Sequence, residues 1–155
     1  MGDFKSKEAR SQNMSAIRNR DTKPEIFIRK KLHALGYRYR VAYNKIPGHP
    51  DLYFAKYNAA IFIHGCFWHS HPNCKYAYSP KSRIEFWEKK FADNKKRDDT
   101  VSKNLSESGI RQLIIWECAI KSCQKKGADP QRLISKVIDF LNSDTAYLEI
   151  GPNAL

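Results

Sequence analysis

The segment from His64 to His71 (HGCFWHSH) contains three histidines, one cysteine and two large aromatic side chains. Imidazole and thiolate are common zinc ligands, and a neutral imidazole can also take a proton from water. A Pro50-Asp51 pair precedes the segment, and a carboxylate oxygen is a suitable ligand for Mg²⁺. These residue types predict metal chemistry of two kinds, one structural and one hydrolytic.

Part of the segment has the spacing of a structural zinc site. Cys66, His71 and Cys74 follow a C-x4-H-x2-C pattern, and Cys118 comes from the end of a predicted strand. Three cysteines and one histidine form an ordinary closed zinc set, which would pin an irregular loop to a sheet. Buried free thiols are the alternative interpretation. Cys123 could replace Cys118, but it lies past the strand, so we expect Cys118 to be the fourth ligand.

The other histidines of the segment, His64 and His69, are available for cleavage chemistry. Phosphodiester hydrolysis needs a hard cation at the reacting oxygens, and Asp51 could hold Mg²⁺ through one direct carboxylate contact. We predict that His69, held between zinc ligands, is the general base; a surface loop histidine is the alternative. In many metal-dependent nucleases, a Pro-Asp pair is followed by an acidic-x-Lys tripeptide. Here the corresponding residues 62–64 are FIH, so the second carboxylate and the lysine are missing.

The overall charge predicts a polyanionic partner. The 155 residues include 28 Lys and Arg against 16 Asp and Glu, a formal charge of +12. Nucleic acid is the commonest partner of such a chain, and a generically basic protein is the alternative. No apolar run approaches the roughly 20 residues that span a membrane, and the polar N-terminus does not read as a secretory signal. We therefore expect a soluble intracellular protein, in which clustered cysteines bind metal rather than form disulfides.

The chain divides into a basic N-terminal arm, residues 1–21, and a single domain, residues 22–155. Thr22 as N-cap, Pro24 in the first turn and Glu25 as the capping-box residue predict a helix that Gly36 ends. Glu25 therefore has a capping interpretation beside a functional one. Further strands are predicted at 37–43, 51–54, 59–63 and 112–117, and further helices at 83–108 and after Asp129. This order predicts an α/β fold with a mixed sheet flanked by helices.

Two groups of residues do not fit a purely structural interpretation. Asn94 and Asp98 interrupt the apolar stripe of the predicted helix 83–108. Phe67 and Trp68 lie off any periodic element, so they either plug the loop onto the core or project outward to wedge between base pairs. Trp87 lies on the helix stripe and would by itself be expected in the core.

Several motifs together resemble the very short patch repair endonucleases, the family of T:G mismatch nickases. The motifs run in order over about residues 9–123: RSQNM at 10–14, RDT at 20–22, PD at 50–51, HGCFWH at 64–69, EFW at 85–87 and IWEC at 115–118. The resemblance implies a restriction-endonuclease-like fold. It also implies a Mg²⁺-dependent enzyme that nicks DNA 5′ to the thymine of a T:G mismatch left by 5-methylcytosine deamination.

The resemblance also implies roles for individual residues. Asp51 and the main-chain carbonyl of Ile63 would bind Mg²⁺, with His69 as the base. The residues acting through water would be Glu25, His64 and Asp98, and the zinc ligands would be Cys66, His71, Cys74 and Cys118. The residues that would enter DNA are Met14, Phe67, Trp68 and Trp87, which replaces the core expectation for Trp87. Apart from the resemblance, we expect Lys90 and Asn94 to be further DNA contacts.

The sequence departs from the family pattern at two places. Ile63 stands where a threonine is familiar, which preserves a carbonyl ligand but not a hydroxyl one. Residues 70–73 (SHPN) replace a more histidine-rich run and hold one extra residue before Cys74.

Two other functions compete with the mismatch nickase. One is a type II restriction-like endonuclease, and the other is a non-catalytic zinc DNA-binding module. We expect the partner to be duplex DNA with a T:G mismatch, with mismatch-repair accessory proteins as further partners. We also expect a monomer in the bacterial cytoplasm, associated with the nucleoid.

Overall fold

The computed structural model describes residues 21–154; Met14 and residues 1–20 of the predicted arm lie outside this range. Within it, one five-stranded sheet has the order β1-β2-β3-β4-β5, with strands Arg40–Val41, Leu52–Phe54, Ala59–His64, Arg111–Trp116 and Tyr147–Ile150. The α-helices are α1 (Lys23–Ala34), α2 (Ile84–Glu107), α3 (Glu117–Cys123) and α4 (Pro130–Leu141). Short 3₁₀ turns occupy Ala55–Tyr57 and Pro152–Ala154. None of these helices has the length and apolar character needed to cross a membrane.

The sheet is mixed, as predicted. β1, β2 and β3 pair antiparallel, whereas β3, β4 and β5 pair parallel. The parallel pairs need long crossovers, which α2 supplies between β3 and β4, and α3 and α4 supply between β4 and β5. The predicted α/β class with flanking helices is therefore confirmed.

Alternation along the central strands divides the core between two faces. Ile61, Leu113 and Ile115 face a core that also contains buried residues of α1, α3 and α4. Phe62 and Ile114 face a second core, with Trp116, Cys66, Cys118 and the C-terminal part of α2. His64, at the end of β3, shares this second face because its position alternates with that of Ile63. The second face is the one that carries the candidate site.

The predicted capping of α1 is confirmed with one change. Thr22 Oγ1 accepts a hydrogen bond from the Glu25 N–H at 3.5 Å, and Gly36 follows the helix with φ +93°. The carboxylate of Glu25 accepts from the Asp21 N–H at 2.9 Å, one residue before the N-cap, rather than from Thr22. Glu25 is only 5% exposed, so the side chain that caps the start of the helix is also buried in the protein.

Three element predictions need correction. The strand predicted at 37–43 shrinks to Arg40–Val41, because the chain turns at Ala42 into the left-handed region with φ +47°. The apolar stripe predicted for α2 is buried only at Leu105, and Ile84 is 53% exposed. The N-terminal half of α2 packs on the loop 64–78 instead of the sheet. α3 and β5 were not predicted, because α3 has seven residues and β5 is largely exposed.

Candidate active site and metal centres

The two strands β2 and β3 bring the predicted Mg²⁺ ligands together. Leu52 pairs with Ile61, so Asp51, just before β2, lies beside the end of β3. The Ile63 N–H donates a hydrogen bond to Asp51 Oδ2 at 2.7 Å. Because the N–H and C=O of one strand residue point to the same side, the Ile63 carbonyl faces the same space as this carboxylate. The local geometry therefore fits one cation held by both oxygens.

The electrostatics of Asp51 also fit a cation. Burial raises the pKa of Asp51 to about 7, and the negative charge of Glu25 adds to this effect. The Ile63 N–H, His69 and Arg29 lower the pKa of Asp51, but their combined effect is smaller than that of burial. A divalent ion beside the carboxylate would favour its charged form and offset the desolvation.

The raised pKa of Asp51 predicts a pH-dependent stability in Mg²⁺-free buffer. Because the folded pKa of Asp51, about 7, exceeds the ordinary value of 3.8, the stabilisation is complete below pH 4 and is lost as pH rises through 7. We expect Asp51→Asn to gain free energy of unfolding relative to the unsubstituted protein over this window, by at most about 1.4 kcal/mol per pH unit. Urea unfolding at several pH values measures the difference.

The matched control is Asp144→Asn, which removes an exposed carboxylate. A stability difference for Asp51→Asn that stays constant from pH 4 to 8 would refute the assignment of a buried, cation-seeking carboxylate.

His69 and Asp98 form a close pair beside Asp51. The Nδ1 atom of His69 lies 2.7 Å from Asp98 Oδ2, and both side chains are partly buried. When Nδ1 carries the proton that Asp98 accepts, Nε2 of a neutral His69 is left as a proton acceptor. The pair therefore has the arrangement of a general base with its orienting carboxylate.

His64 packs against the His69 ring of this pair. Its ring stacks on that of His69, with centroids 3.8 Å apart and planes 5° apart. Burial lowers the pKa of His64 to about 3, so this imidazole stays neutral at physiological pH. Within the described residues, the buried Nδ1 of His64 has no hydrogen-bond partner. A neutral stacked ring fixes the plane of His69 without competing for its proton.

The nitrogen and oxygen atoms of His64, His69 and Asp98 lie within 4.8 Å of one another, close enough to hold a metal ion. The lone pairs of an imidazole lie in the plane of its ring, and these two rings are parallel and stacked. Their lone pairs therefore converge poorly on one ion, and we interpret the trio as a hydrogen-bonded base.

An open cleft of about 890 Å³ gathers the predicted catalytic residues. Its lining includes Asp51, Ile63 and His69, together with Glu25, His64 and Asp98. Arg97 and Lys121 also line the cleft, where Lys121 forms an ion pair at 2.7 Å with Glu117, another lining residue. Sequence reasoning did not single out these two residues, because basic residues are common throughout the chain.

The four predicted zinc ligands also come together. The ligand atoms of Cys66, His71, Cys74 and Cys118 lie within 4.8 Å of one another. Zn–S bonds of about 2.3 Å in a tetrahedron place ligand atoms roughly 3.8 Å apart, so the cluster has the right size. Burial raises the pKa of the Cys66 and Cys118 thiols, and a bound cation would favour their thiolates. This cluster could hold a metal ion.

Cys123 lies outside that cluster. Its buried thiol donates to the Ile120 carbonyl at 3.1 Å, within α3. Cys118 Sγ, in contrast, lies 3.4 Å from His71 Nδ1, and the Cys118 N–H donates to Cys66 Sγ at 3.4 Å. The choice of Cys118 over Cys123 as the fourth member agrees with this geometry.

The aromatic residues of the loop and of α2 form one surface cluster. Phe67 is at its centre, with ring centroids 5.0 to 5.3 Å from those of Trp68, Tyr78, Trp87 and Phe91. Trp68 and Trp87 contact each other at 5.9 Å, and both are partly exposed. Tyr78 is 64% exposed. Trp87 therefore belongs to a solvent-facing aromatic cluster rather than to either core.

Two expected DNA contacts on α2 have different surroundings. Lys90 is exposed. The amide nitrogen of Asn94 donates to the Trp68 carbonyl at 2.9 Å, so Asn94 also holds the loop in place.

Comparisons with known proteins identify the family of this chain. The sequence model of the family described as DNA mismatch endonuclease Vsr matches residues 2–75. The DNA mismatch endonuclease Vsr of Escherichia coli K12 is 42% identical over 125 residues, covering 81% of this chain and 80% of the relative. The type II nicking enzyme V.XorIIP of Xanthomonas oryzae is 38% identical over 120 residues, covering 77% and 88%. This protein therefore belongs to the Vsr family of DNA mismatch endonucleases.

Proposed function

We propose that this endonuclease cuts one strand of duplex DNA on the 5′ side of the thymine in a T:G mismatch. The observation that carries the proposal is the cleft in which the Asp51 carboxylate and the His69–Asp98 pair meet. One relative is by name a mismatch endonuclease and another a nicking enzyme, which favours a single-strand cut over double-strand restriction cleavage. The lesion that produces such a mismatch is deamination of 5-methylcytosine.

In this mechanism, the protein supplies a metal site and a base. Asp51 and the Ile63 carbonyl would hold Mg²⁺, which supplies charge stabilisation at the reacting phosphate oxygens. His69 Nε2 takes a proton from the attacking water, while Asp98 holds the ring through Nδ1 and stabilises the imidazolium that forms. Glu25 lines the same cleft and would act through water on a cation bound there.

A structural zinc ion would keep this base in place. Cys66, His71, Cys74 and Cys118 would hold it, and it supplies rigidity to the loop that carries His69. His69 lies between two of these ligands in the chain, so the loop has little freedom to move the base away from Asp98.

The aromatic cluster supplies mismatch recognition in this proposal. Phe67, Trp68 and Trp87 would enter the duplex beside the mismatch, where a weakened pair makes unstacking less costly. Lys90 and Asn94 would contact the DNA from α2, next to the cluster. Met14, in the arm outside the described residues, would wedge in from the minor-groove side.

We also propose the organisation in which the enzyme works. Residues 22–155 would act as a single endonuclease domain, and the basic arm 1–21 would contact DNA. The protein would act as a monomer in the bacterial cytoplasm, on nucleoid DNA, and mismatch-repair accessory proteins would be its further partners. The bacterial relative supports a bacterial setting, and the charge of +12 supports DNA as the partner.

A comparison of duplexes tests the proposed function. We expect nicking of a T:G duplex in Mg²⁺ to be at least about 100-fold faster than nicking of the matched C:G duplex, because recognition depends on unstacking at the weak pair. Single-turnover gel assays on end-labelled strands measure both rates. Equal cutting of both duplexes would favour a restriction-like enzyme, and binding without cutting would favour a zinc DNA-binding module.

A further inference from the structure

Three side chains lie in a row across β3, β4 and β5 on the face covered by α2. His64 and Trp116 are register partners in the parallel pair β3–β4. Glu149 is the register partner of Ile114, which lies on the same face as Trp116 two residues further along β4. The sheet itself therefore sets Glu149 beside Trp116, and Trp116 beside His64.

Trp116 is held at its polar end by Glu149. The indole N–H donates to Glu149 Oε1 at 2.9 Å, and the Trp116 side chain is otherwise enclosed, with 6% exposure. An indole has a single polar donor, so this hydrogen bond fixes the rotation of the ring about its long axis. Among the described residues, the Glu149 carboxylate is the hydrogen-bond acceptor of that N–H.

The indole contacts an imidazole from each of the two centres. The His71 ring stacks on it, with centroids 4.0 Å apart and planes 8° apart. The His64 ring meets it edge to face, at 5.3 Å and 78°. His64 in turn stacks on His69, which is bonded to Asp98. Trp116 therefore lies between the cysteine–histidine cluster and the histidines of the cleft.

We infer that Glu149 is a positioning residue for DNA cleavage, which fixes the Trp116 indole and through it the planes of the cleft histidines. The inference rests on the proposed function of the cleft. Glu149 lies outside residues 9–123, over which the family motifs run, so the resemblance gave it no role. Its contribution is to orientation, since it touches neither the cleft histidines nor the expected cation.

Two substitutions separate the hydrogen bond from the rest of the side chain. Glu149→Gln keeps an oxygen that accepts the indole N–H, whereas Glu149→Leu removes the acceptor and keeps a similar volume. We expect Glu149→Leu to reduce the single-turnover nicking rate of a T:G duplex about tenfold, with unchanged zinc content and DNA affinity. Glu149→Gln should stay within about twofold of the unsubstituted rate, and Glu107→Leu, at the exposed end of α2, is the matched control.

A second readout needs no cleavage. The assigned imidazole resonances of His64 and His69 in a ¹H–¹⁵N spectrum report the ring planes through the Trp116 ring current. They should move in Glu149→Leu and keep their positions in Glu149→Gln. If the unsubstituted protein does not nick T:G DNA, the proposed function fails, and this spectrum still decides the inference.

If Glu149→Leu loses zinc or unfolds, Trp116→Phe tests the same hydrogen bond from the other side. Phenylalanine keeps a stacking ring but has no N–H, so this variant should show the same tenfold loss of rate at full zinc content. A nicking rate and spectrum unchanged in Glu149→Leu would overturn the inference. Equal impairment of the Gln and Leu variants, or an unimpaired Trp116→Phe, would overturn it as well.

Discussion

Asp51→Asn should lower the single-turnover nicking rate of a T:G duplex by on the order of 10³-fold at saturating Mg²⁺. The substitution keeps the shape of the side chain and an oxygen for the Ile63 N–H, 2.7 Å away, but removes the charge that attracts the cation. A metal at a reacting phosphoryl oxygen is worth several kcal/mol, and three factors of ten correspond to about 4 kcal/mol. Rapid-quench gel assays measure the rate.

Asp51→Asn should bind DNA as tightly as the unsubstituted protein, and it should fold. Dissociation constants measured without Mg²⁺ are expected to agree within about twofold, because the phosphate contacts come from basic residues elsewhere. The variant should also be the more stable protein above pH 7 in Mg²⁺-free buffer, since burial raises the pKa of Asp51 to about 7. Asp144→Asn serves as the control for charge. A rate for Asp51→Asn within tenfold of the unsubstituted enzyme would remove Asp51 from the metal site.

Cys118→Ala should cause the largest loss of stability among the variants proposed here. It should also cause the loss of most of the bound zinc. The Cys118 thiol lies 3.4 Å from His71 Nδ1, and its position in the first turn of α3, directly after β4, is what joins the loop ligands to the sheet. Structural zinc contributes directly to folding free energy, so we expect a loss of more than about 3 kcal/mol. Zinc content by atomic emission and urea unfolding measure the two effects.

Cys123→Ala is the matched control, because Cys123 is equally buried in the same helix but lies outside the cysteine–histidine cluster, with its thiol bonded to the Ile120 carbonyl. Removing the buried thiol of Cys123 should lower the free energy of unfolding by about 1 kcal/mol and leave the zinc content unchanged. Stoichiometric zinc in Cys118→Ala, or the same loss of stability in both variants, would contradict the assignment of the cluster.

The parts of the site that local spacing determines could be predicted from the sequence. Cys66, His71 and Cys74 are close along the chain, and the end of a buried strand gave Cys118. The meeting of Asp51 with Ile63 is an expectation that the family resemblance supplies, and the pairing of Leu52 with Ile61 accounts for it. For the cysteine–histidine cluster, a few residues of known local geometry are enough to bring three of the ligands together.

The parts that depend on distant register could not be predicted. Trp116 and Glu149 are separated by 33 positions, and β5 carries no alternating apolar pattern because most of it is exposed. Periodicity alone predicts that the apolar stripe of α2, with Trp87, packs in the core. It does not tell which part of the protein that face of the helix contacts. Trp87 packs on Phe67 of the loop instead of on the sheet.

The division of work within residues 64–71 is a consequence of this packing. His64 and His69 face the cleft, Cys66 and His71 join the cysteine–histidine cluster, and Phe67 joins the aromatic surface. In the proposed function, zinc binding, base positioning and DNA recognition would therefore be coupled through a few consecutive peptide bonds. A change in any one of them is expected to reach the other two.

The most direct measurement of the central claim is a map of the cleavage site on both strands of a T:G duplex, with and without Mg²⁺. We predict one cut, on the thymine strand, at the phosphate 5′ to the mismatched thymine, and only with Mg²⁺. Cuts in both strands, a cut elsewhere, or cleavage without a divalent ion would contradict the account.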